Sequence, residues 1–529
     1  MGVKMKTIII CDPIYKVGYE LLEKEKDIKV IDASTVSKNE LLDMVGDADV
    51  AITRSPTPVD KNFLQAGKKL KAIVRAGVGV DNCDIDECSR RGIVLMNVPT
   101  ANTIAAVEMT MCHLLNSARK YVNSCNDLKL NHTWKREKWY GTEIYKKSLG
   151  IIGFGNIGSR VAVRAIACGM SVITYDPYID PSKATNIGVR YTTNLDEILA
   201  CDFITIHTPK TKETIGMIGD KEIAKMKDGV RLINCARGGL YNENALINGL
   251  KSGKIAYLGM DVFEKEPATQ NELLEFENLT ATPHLGANTV ESQSNIATEA
   301  VEQAISAARG LCYPNALNLP IKTDNLPDFV EPYMNLVSKM AYMAAQIDKN
   351  QIKAIKLEGN GKVVDYLNSM LVFAVYGALK EKFGEKVNYV NAIFTADEKG
   401  IKTESAILNE DNYKNKVCVK ITTDKGVTAI SGTVFNDDEE RILNIDGFKT
   451  DFKPKGKMII FKNTDVPGVI ASVSAILAKD KINIADFRLG RGEDGNALAV
   501  ILVDEDISKS VLDELSALST CLLARYVVL

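Results

Sequence analysis

The sequence predicts an α/β protein in which parallel sheets wrapped by helices make up the larger part. Three observations favour this fold class. Short apolar strand-like runs alternate with helical stretches through the first part of the chain, as in a sheet with helical crossovers. The segment Leu149–Gly158 is typical of a strand that turns on glycines into a helix. The chain has 529 residues, so about three or four domains are expected.

Composition and charge exclude several function classes. Hydrophobic residues make up 46% of the chain, charged residues 25%, and the formal net charge is -3. This balance is typical of a soluble globular protein and offers no general attraction to nucleic acid or an anionic membrane. Eleven cysteines at scattered spacings, no run as long as a membrane span and no signal core indicate a cytoplasmic protein. No metal site is expected.

The first hundred residues predict a parallel sheet with two arginines at its rim. Arg54 follows the strand-like run Val50–Thr53, and Arg75 follows Ala72–Val74. Ligands of open parallel sheets bind beyond the carboxyl ends of the strands. A single arginine there is usually a solvated surface residue, but two on one rim favour an anion site.

The glycine turn Gly153–Gly158 has the spacing G-x-G-x-x-G between a strand and a helix. This arrangement brings backbone N–H groups and a helix N-terminus against a pyrophosphate. The next strand, Ser171–Tyr175, ends in Asp176, where a carboxylate would hold the ribose hydroxyls of NAD and repel the extra phosphate of NADP. Further strand-like runs complete a predicted six-stranded, doubly wound dinucleotide fold: Phe203–His207, Val230–Asn234, Ala256–Met260 and Leu279–Thr282.

Three residues near the ends of these strands offer the chemistry of alcohol oxidation: Arg237, Glu266 and His284. A histidine can take the hydroxyl proton near neutral pH, and a carboxylate on its other ring nitrogen fixes the tautomer. An arginine can hold a substrate carboxylate with two hydrogen bonds. Alternatively, Glu266 is a surface loop acid and Arg237 forms a simple salt bridge.

The general base is chosen among four histidines. His113 lies among apolar residues of a long helix and is expected to be packed. His132 falls in a polar connector, and His207 ends a strand near the cofactor without an acid in its motif. His284 remains as the candidate.

Residues 1 to about 310 resemble the D-2-hydroxyacid dehydrogenase family. The matching motifs are Gly153–Gly158, His207–Pro209, Asn234–Gly239, Asp261–Phe263 with Glu266-Pro267, and Thr282–Ala287. The resemblance implies that Arg237, Glu266 and His284 are catalytic. It also implies an NAD site lined by Val78, Gly153, Gly155, Asn156, Ile157, Gly158, Asp176, Thr208, Cys235, Ala236 and Asp261.

The resemblance further implies that Arg54, Arg75 and Asn102 hold the substrate, together with Arg136 from a partner subunit of a homodimer or homotetramer. A phosphorylated hydroxy acid carries about three negative charges, and arginines are the strongest way to select it. The stretch Arg75–Asn82 and the long tail resemble members that act on 3-phosphoglycerate. We therefore expect NAD-dependent oxidation of 3-phosphoglycerate to 3-phosphohydroxypyruvate, the first step of the phosphorylated serine pathway.

Two alternatives stay open. One keeps the chemistry but changes the substrate to 2-hydroxyglutarate or to glycerate. The other is an NAD-sensing regulator without turnover, against which the complete set of Arg237, Glu266 and His284 argues, because a sensor needs no proton acceptor.

The tail begins with a proline-punctuated joint, Pro314–Pro327. The part that follows, with predicted helices at Asn335–Ile347 and Leu367–Phe383 and a β-rich end, resembles the intervening domain of the long dehydrogenases. This resemblance implies a structural or allosteric role.

The last segment has the predicted order βαββαβ and resembles an ACT domain, a module that binds amino acids between paired copies. The resemblance implies that Asp465 and Asn483 hold an effector, with serine as the candidate. Asn463 stands where regulated relatives often carry a ring side chain, so a domain that only dimerises is the alternative.

The expected architecture is a Rossmann-type nucleotide domain inserted in a flavodoxin-like substrate domain, followed by an α+β intervening domain and the ACT domain. The predicted boundaries are 1–98 with 287–318 for the substrate domain, 99–286 for the NAD domain, 319–454 for the intervening domain and 455–529 for the ACT domain.

Overall fold

The computed structural model describes residues 5–320, 326–409, 413–436 and 438–529. The first four residues, part of the stretch in which no signal core was expected, lie outside the described residues, as do residues 321–325 of the proline-punctuated joint. The described strands form four separate sheets.

The first sheet has the order β2-β1-β3-β4-β5, and all its strands are parallel. This is the flavodoxin-like order predicted for the substrate domain. Its strands are β1 Lys6–Ile10, β2 Ile28–Asp32, β3 Val50–Thr53, β4 Ala72–Arg75 and β5 Val94–Asn97; its helices are α1 Lys16–Leu22, α2 Lys38–Val45, α3 Lys61–Ala66 and α4 Ile85–Arg90.

The second sheet has the doubly wound order β12-β11-β10-β9-β6-β7-β8. The helix α5 Thr103–Arg119 leads into this lobe. The other elements are α6 Tyr121–Asn131, β6 Ser148–Ile152, α7 Asn156–Ala167, β7 Ser171–Tyr175, α8 Ser182–Thr185, β8 Arg190–Thr192, α9 Leu195–Leu199, β9 Phe203–Ile206, α10 Asp220–Lys225, β10 Val230–Asn234, α11 Glu243–Lys251, β11 Ile255–Met260 and β12 Leu279–Ala281.

Two features differ from the sequence prediction or extend it. The edge strand β8 was missed, so the prediction of six strands is wrong; its three residues give too short a pattern to distinguish from a loop. The long helix α12 Val290–Arg309 returns the chain to the first lobe, where Ile296, Ala300 and Val301 pack into the core of the first sheet. The two lobes are therefore discontinuous in sequence, as predicted.

The tail forms two further sheets. The intervening sheet has the order β14-β13-β15-β16-β17-β18, and the ACT sheet has the order β20-β21-β19-β22. The intervening elements are α13 Val330–Ile347, β13 Ile352–Asn360, α14 Leu367–Phe383, α15 Ala392–Glu398, β14 Lys402–Ile407, β15 Lys416–Thr423, β16 Val427–Phe435, β17 Glu439–Ile445 and β18 Phe448–Phe452. The ACT elements are β19 Lys457–Thr464, α16 Val469–Lys479, β20 Ile484–Arg491, β21 Asn496–Val503, α17 Lys509–Ser516 and β22 Cys521–Val528.

The ACT and intervening domains share one hydrophobic core. One face of the ACT sheet, including Met458, Ile460 and Val500, is buried in the same cluster as α13. At the end of α13, Gln346 pairs with the backbone of Val528 through two hydrogen bonds of 3.0 and 3.1 Å. The opposite face of the same sheet forms its own core with α16 and α17. Both faces of the ACT sheet are therefore buried.

One stretch of the described residues, Gly361–Lys386, is long and apolar enough to cross a membrane by length and composition alone. The sequence analysis did not single out this stretch. Half of its apolar window is buried inside the protein, where Met370, Ala374 and Val375 pack in the intervening core. This is the environment of a core helix.

Candidate active site

A cavity of about 390 Å³ lies between the two lobes, at the carboxyl ends of both parallel sheets. Loops that follow β4, β9, β10 and β12 line it, together with the first turns of α5 and α7. Nine of the predicted site residues lie in its wall: Val78, Asn102, Asn156, Ile157, Thr208, Cys235, Ala236, Arg237 and His284.

The histidine and the glutamate predicted to act together are in contact. His284 Nδ1 lies 2.8 Å from Glu266 Oε2, and Glu266 Oε1 accepts the backbone N–H of Phe263 at 3.0 Å. With Nδ1–H directed at the carboxylate, the neutral imidazole carries its lone pair on Nε2. The side chain of His284 is 49% exposed, so Nε2 is accessible from the cavity.

This contact sets the charge of both groups. The hydrogen bond to Glu266 is the main cause that raises the pKa of His284, against the opposing effect of burial. Burial also pushes the pKa of Glu266 upward, but the hydrogen bonds from His284 and Phe263 outweigh it and hold that pKa below its usual value. The pair therefore favours imidazolium beside carboxylate, which is the state that follows proton uptake.

The other histidines do not offer this chemistry. His113 is buried, and burial lowers its pKa despite the nearby charge of Asp261. Burial lowers the pKa of His207 to about 4, and its Nε2 contacts Thr205 Oγ1 at 3.1 Å. His132 is exposed in the connector after α6.

Replacing Glu266 by glutamine should shift the pH profile of oxidation to lower pH. A glutamine keeps a polar partner but removes the negative charge, so the pKa of His284 falls back towards its ordinary value. Since oxidation needs the unprotonated base, kcat/KM rises with pH through the pKa of His284. In the variant this rise should occur at lower pH. The maximal rate should fall about tenfold or more, because the imidazolium loses its counter-charge. Steady-state rates across pH measure both effects; a rise at unchanged pH would contradict the assignment.

Arg237 is held across the lobes by an acid that the sequence reasoning missed. Its Nε donates to Asp81 Oδ2 at 3.1 Å, and its Nη1 donates to the carbonyl of Ala236 at 2.7 Å. A Cβ at Gly79 would lie 2.3 Å from Nη2, so glycine at this position leaves space for the guanidinium where it lies. Asp81 stands in the stretch Arg75–Asn82, whose match to the family was the available signal.

Two further arginines lie at the rim of the first sheet. Arg54 donates to the Pro13 carbonyl and to Gln293, and Arg75 donates to Ser55 Oγ at 2.6 Å. Arg75 Nε is buried without a hydrogen-bond partner. Burial lowers the pKa of Arg75, and the positive charges of Arg237 and Arg54 add to this shift. The three cations therefore lie within electrostatic reach of one another and favour a multiply charged anion.

The glycine turn fits a dinucleotide. A Cβ at Gly158 would lie 2.1 Å from the carbonyl oxygen of Gly153, whereas the space around Gly155 is open to 4 Å. Asp176 Oδ2 accepts the N–H of Phe154 at 2.8 Å, so the acid at the end of β7 also holds the turn. Thr208 Oγ1 is buried without a partner. An open glycine beside the N-terminus of α7 and an orphaned hydroxyl in the cavity wall are features that a bound pyrophosphate would complete.

Asp261 does not lie at the surface of this cavity, although it was expected to line the NAD site. It is fully buried, and its carboxylate accepts the backbone N–H groups of Leu285 and Gly286, both at 2.7 Å. The sequence alone does not distinguish an acid at a strand end that contacts a ligand from one that hydrogen-bonds to a neighbouring loop. In this structure Asp261 supports the loop that carries His284.

The two predicted effector residues are not brought together within the chain. Asp465 lines a cavity of about 350 Å³ in the ACT domain and pairs with Arg491 at 2.6 Å. Asn463 lines the same cavity. Asn483 does not; its side chain donates to Asp504 at 2.7 Å. Arg491 is therefore a cation at this cavity that the sequence reasoning did not single out.

The predicted connector residue Arg136 does not line the cavity of its own chain either. It begins a short 3-10 turn, Arg136–Trp139, and is exposed. Its neighbour Lys138 pairs with Glu277 at 2.6 Å, whereas Arg136 has no ion pair among the described residues.

Comparisons with known proteins agree with these features. The family model for the NAD binding domain of D-isomer specific 2-hydroxyacid dehydrogenases matches residues 111–286, that for the D-3-phosphoglycerate dehydrogenase intervening domain matches 329–446, and that for the ACT domain matches 457–520.

Curated relatives match over nearly the whole chain. A D-3-phosphoglycerate dehydrogenase of Synechocystis sp. is 36% identical over 97% of this chain and 93% of its own length. That of Archaeoglobus fulgidus is 37% identical over 99% of this chain and 100% of its own length.

A solved structure, D-lactate dehydrogenase from Aquifex aeolicus complexed with NAD and lactic acid, is 31% identical with a TM-score of 0.51, and covers 59% of this chain and 99% of its own. The two curated relatives match over nearly the full length, and these matches place all the parts of the molecule in one family. The chain belongs to the D-3-phosphoglycerate dehydrogenase family.

Proposed function

We propose that the cleft between the lobes oxidises 3-phosphoglycerate at C2 to 3-phosphohydroxypyruvate, with His284 as general base, Glu266 as its partner and Arg237 as the substrate carboxylate ligand. The observation that carries the proposal is the 2.8 Å contact between His284 and Glu266 in a cavity that Arg237 also lines. The reaction is NAD-dependent and begins the phosphorylated serine pathway.

The side chains have distinct tasks in this reaction. His284 Nε2 takes the proton of the C2 hydroxyl, and Glu266 stabilises the imidazolium that results. Arg237 binds the carboxylate and polarises the developing carbonyl. Bound NAD supplies the acceptor for the hydride that leaves C2. In the reverse direction His284 returns its proton to the oxygen.

The NAD site is built from the glycine turn and the wall of the cavity. We assign the pyrophosphate to the N–H groups at Gly155–Ile157 and the N-terminus of α7, and the ribose hydroxyls to Asp176. Gly153 and Gly158 give the turn its close packing. Thr208, Cys235, Ala236 and Val78 line the remaining contact surface.

Arg54, Arg75 and Asn102 are proposed to hold the phosphorylated end of the substrate. Arg54 follows β3 and Arg75 ends β4 at the rim of the first sheet, and Asn102 lies in the cavity wall at the start of α5. Their combined charge suits a phosphate better than the neutral hydroxymethyl group of glycerate.

A panel of hydroxy acids tests this substrate choice. Purified protein should reduce NAD+ when 3-phosphoglycerate is added, and far more slowly with D-2-hydroxyglutarate, D-glycerate or D-lactate. The absorbance of the reduced cofactor measures the rate. Equal rates with D-glycerate and 3-phosphoglycerate would contradict the proposal that the site selects a phosphorylated substrate. No reduction of NAD+ with any acid would favour the alternative of an NAD-sensing regulator.

We propose that Arg136 completes the site of a partner subunit in a homodimer. It is an exposed cation without an ion pair among the described residues, and it stands on a connector that also exposes Leu130, Trp134 and Tyr140 by 70 to 78%. Such aromatic and aliphatic exposure is typical of an interface. The cytoplasmic location expected from the sequence stays a prediction.

Mixing two defective variants tests this arrangement. Arg136→Ala and His284→Ala should each lose most activity alone. Co-expressed, they form hybrid dimers in which one site has both native residues, so about a quarter of the native sites should be restored. No recovery in a confirmed hybrid would show that Arg136 does not act across the interface.

The ACT domain provides for an amino-acid effector, and we propose serine. The cavity at Asp465 combines a carboxylate and the Arg491 guanidinium with an apolar wall of Phe461, Val473 and Ile501. An α-amino acid presents the complementary ammonium and carboxylate groups. Asn483 is proposed to contribute from the paired copy, because it does not line the cavity of its own chain.

Serine should raise the melting temperature of the full-length protein. At about one hundred times its Kd, a ligand that binds only the native state adds about 2.7 kcal/mol of stability. The increase should disappear in Asp465→Ala and persist in Asp513→Ala, which removes an exposed carboxylate of α17. Thermal unfolding with and without serine measures it, and an equal increase in both variants would exclude Asp465 from the effector site.

A further inference from the structure

A buried hydrogen-bonded chain lies beneath the loop that carries His284. His113 Nε2 lies 3.0 Å from Thr282 Oγ1, and Thr282 Oγ1 donates to Asp261 Oδ1 at 2.6 Å. Asp261 in turn accepts the N–H groups of Leu285 and Gly286. The chain joins the helix α5 to the two residues that follow His284.

The direction of each hydrogen bond follows from the donors available. Thr282 has one hydroxyl hydrogen, and it donates this hydrogen to Asp261 Oδ1. The Thr282 oxygen must therefore accept from His113, so Nε2 of His113 carries the hydrogen. Its Nδ1 is buried without a partner, and burial lowers the pKa of this histidine. Both facts fit a neutral imidazole with one fixed tautomer.

The packing around His113 is close on the side of β11. A Cβ at Gly259 would lie 3.0 Å from His113 Nδ1, so glycine at this position lets the ring lie against the strand. Gly259 and Asp261 are two residues apart and point to the same side of the chain. The ring and the carboxylate are thus held on one face, with the Thr282 hydroxyl between them.

His284 needs such support because of its backbone. Its φ is 55°, and a non-glycine residue in the left-handed region is strained, so the surroundings must hold it in place. The two N–H groups that follow it are fixed by the buried carboxylate of Asp261. Any change in the direction of that carboxylate therefore moves the backbone from which the imidazole projects.

We propose that His113 is a positioning residue for proton transfer at His284: its Nε2–H directs the Thr282 hydroxyl onto Asp261, and Asp261 fixes the Leu285 and Gly286 amides that set the backbone of His284. The inference rests on the proposed role of His284 as general base. It assigns functions to His113 and Thr282, neither of which reaches the reacting atoms.

Matched substitutions in the full-length enzyme separate positioning from packing. A glutamine places an amide N–H near the position of the imidazole Nε2–H, whereas a leucine fills the space without a donor. His113→Leu should lower kcat about tenfold, as expected when a catalytic group is displaced by a fraction of an ångström. His113→Gln should restore kcat to within about twofold of the native value, while KM values stay close to native in both.

Each outcome decides the proposal. Native kcat in His113→Leu, or an equal loss in His113→Gln and His113→Leu at unchanged melting temperature, would overturn it. If His113→Leu fails to fold, Thr282→Val and Thr282→Ser serve instead, with loss expected in the first and near-native kcat in the second. An active His284→Ala variant would refute the proposed function itself, whereas an inactive one beside a fully active His113→Leu refutes only this inference.

Discussion

Replacing His284 by alanine should lower kcat for 3-phosphoglycerate oxidation by a factor of about 10² to 10⁴, the usual contribution of a positioned general base. The reason lies in the geometry of the pair. Glu266 fixes the Nδ1–H tautomer at 2.8 Å and leaves Nε2 as the proton acceptor. His284 is the one histidine among the described residues that line the cavity, so its removal takes away the imidazole that accepts the proton of the C2 hydroxyl. Steady-state rates measure the loss.

Two controls keep this result specific. NAD affinity, measured by quenching of protein fluorescence, should stay close to native, because the glycine turn and Asp176 lie on other loops. Added imidazole should restore part of the rate, since the alanine leaves space for a free ring. Loss of NAD binding in the variant, or full activity without the imidazole, would refute the general-base role.

The second large effect is expected at the phosphate end. Arg75→Ala should lower kcat/KM for 3-phosphoglycerate by about 10²-fold, because two charge-assisted hydrogen bonds contribute about 3 kcal/mol or more, and each 1.4 kcal/mol is a factor of ten. The same variant should change kcat/KM for D-glycerate much less, since that acid has no phosphate to lose.

The matched control is Arg91→Ala. Arg91 belongs to the same lobe but follows α4 at the opposite end of the sheet, where it pairs with Glu87 at 2.7 Å. Its removal should leave both substrates unaffected. Equal losses for 3-phosphoglycerate and glycerate in Arg75→Ala would mean that Arg75 supports the loop and does not recognise phosphate.

The parts predicted well from the sequence are those whose chemistry is local. The glycine turn and Asp176 lie within 24 residues, and strand, turn, helix and acid follow one another in an order that few other structures produce. The partnership of His284 and Glu266 needed the family motif as well, because a loop acid 18 residues away has many alternatives.

The parts that were missed depend on contacts between distant segments. Asp81 and Arg237 are 156 residues apart and meet only because the two lobes close on one cleft. Asp261 was assigned to the cofactor because a strand-end acid carries no sign of which way it points. The separation of Asn483 from the Asp465 cavity is likewise a property of the folded ACT sheet and not of spacing.

The double burial of the ACT sheet did leave a trace in the sequence. The run Met458–Phe461 is apolar at every position, where a strand with one solvated face would alternate. The structure explains the pattern, because Met458 and Ile460 pack towards α13 while Ile459 and Phe461 pack towards α16 and α17.

This shared packing makes the ACT domain inseparable from the intervening domain. A truncated protein that stops before Lys457 would expose the apolar residues of the intervening domain that the ACT sheet covers. Loss of the ACT domain should therefore also destabilise the intervening domain. Because Met458, Ile460 and Val500 lie in the same core as α13, a movement of the ACT sheet would disrupt this packing unless α13 moved with it.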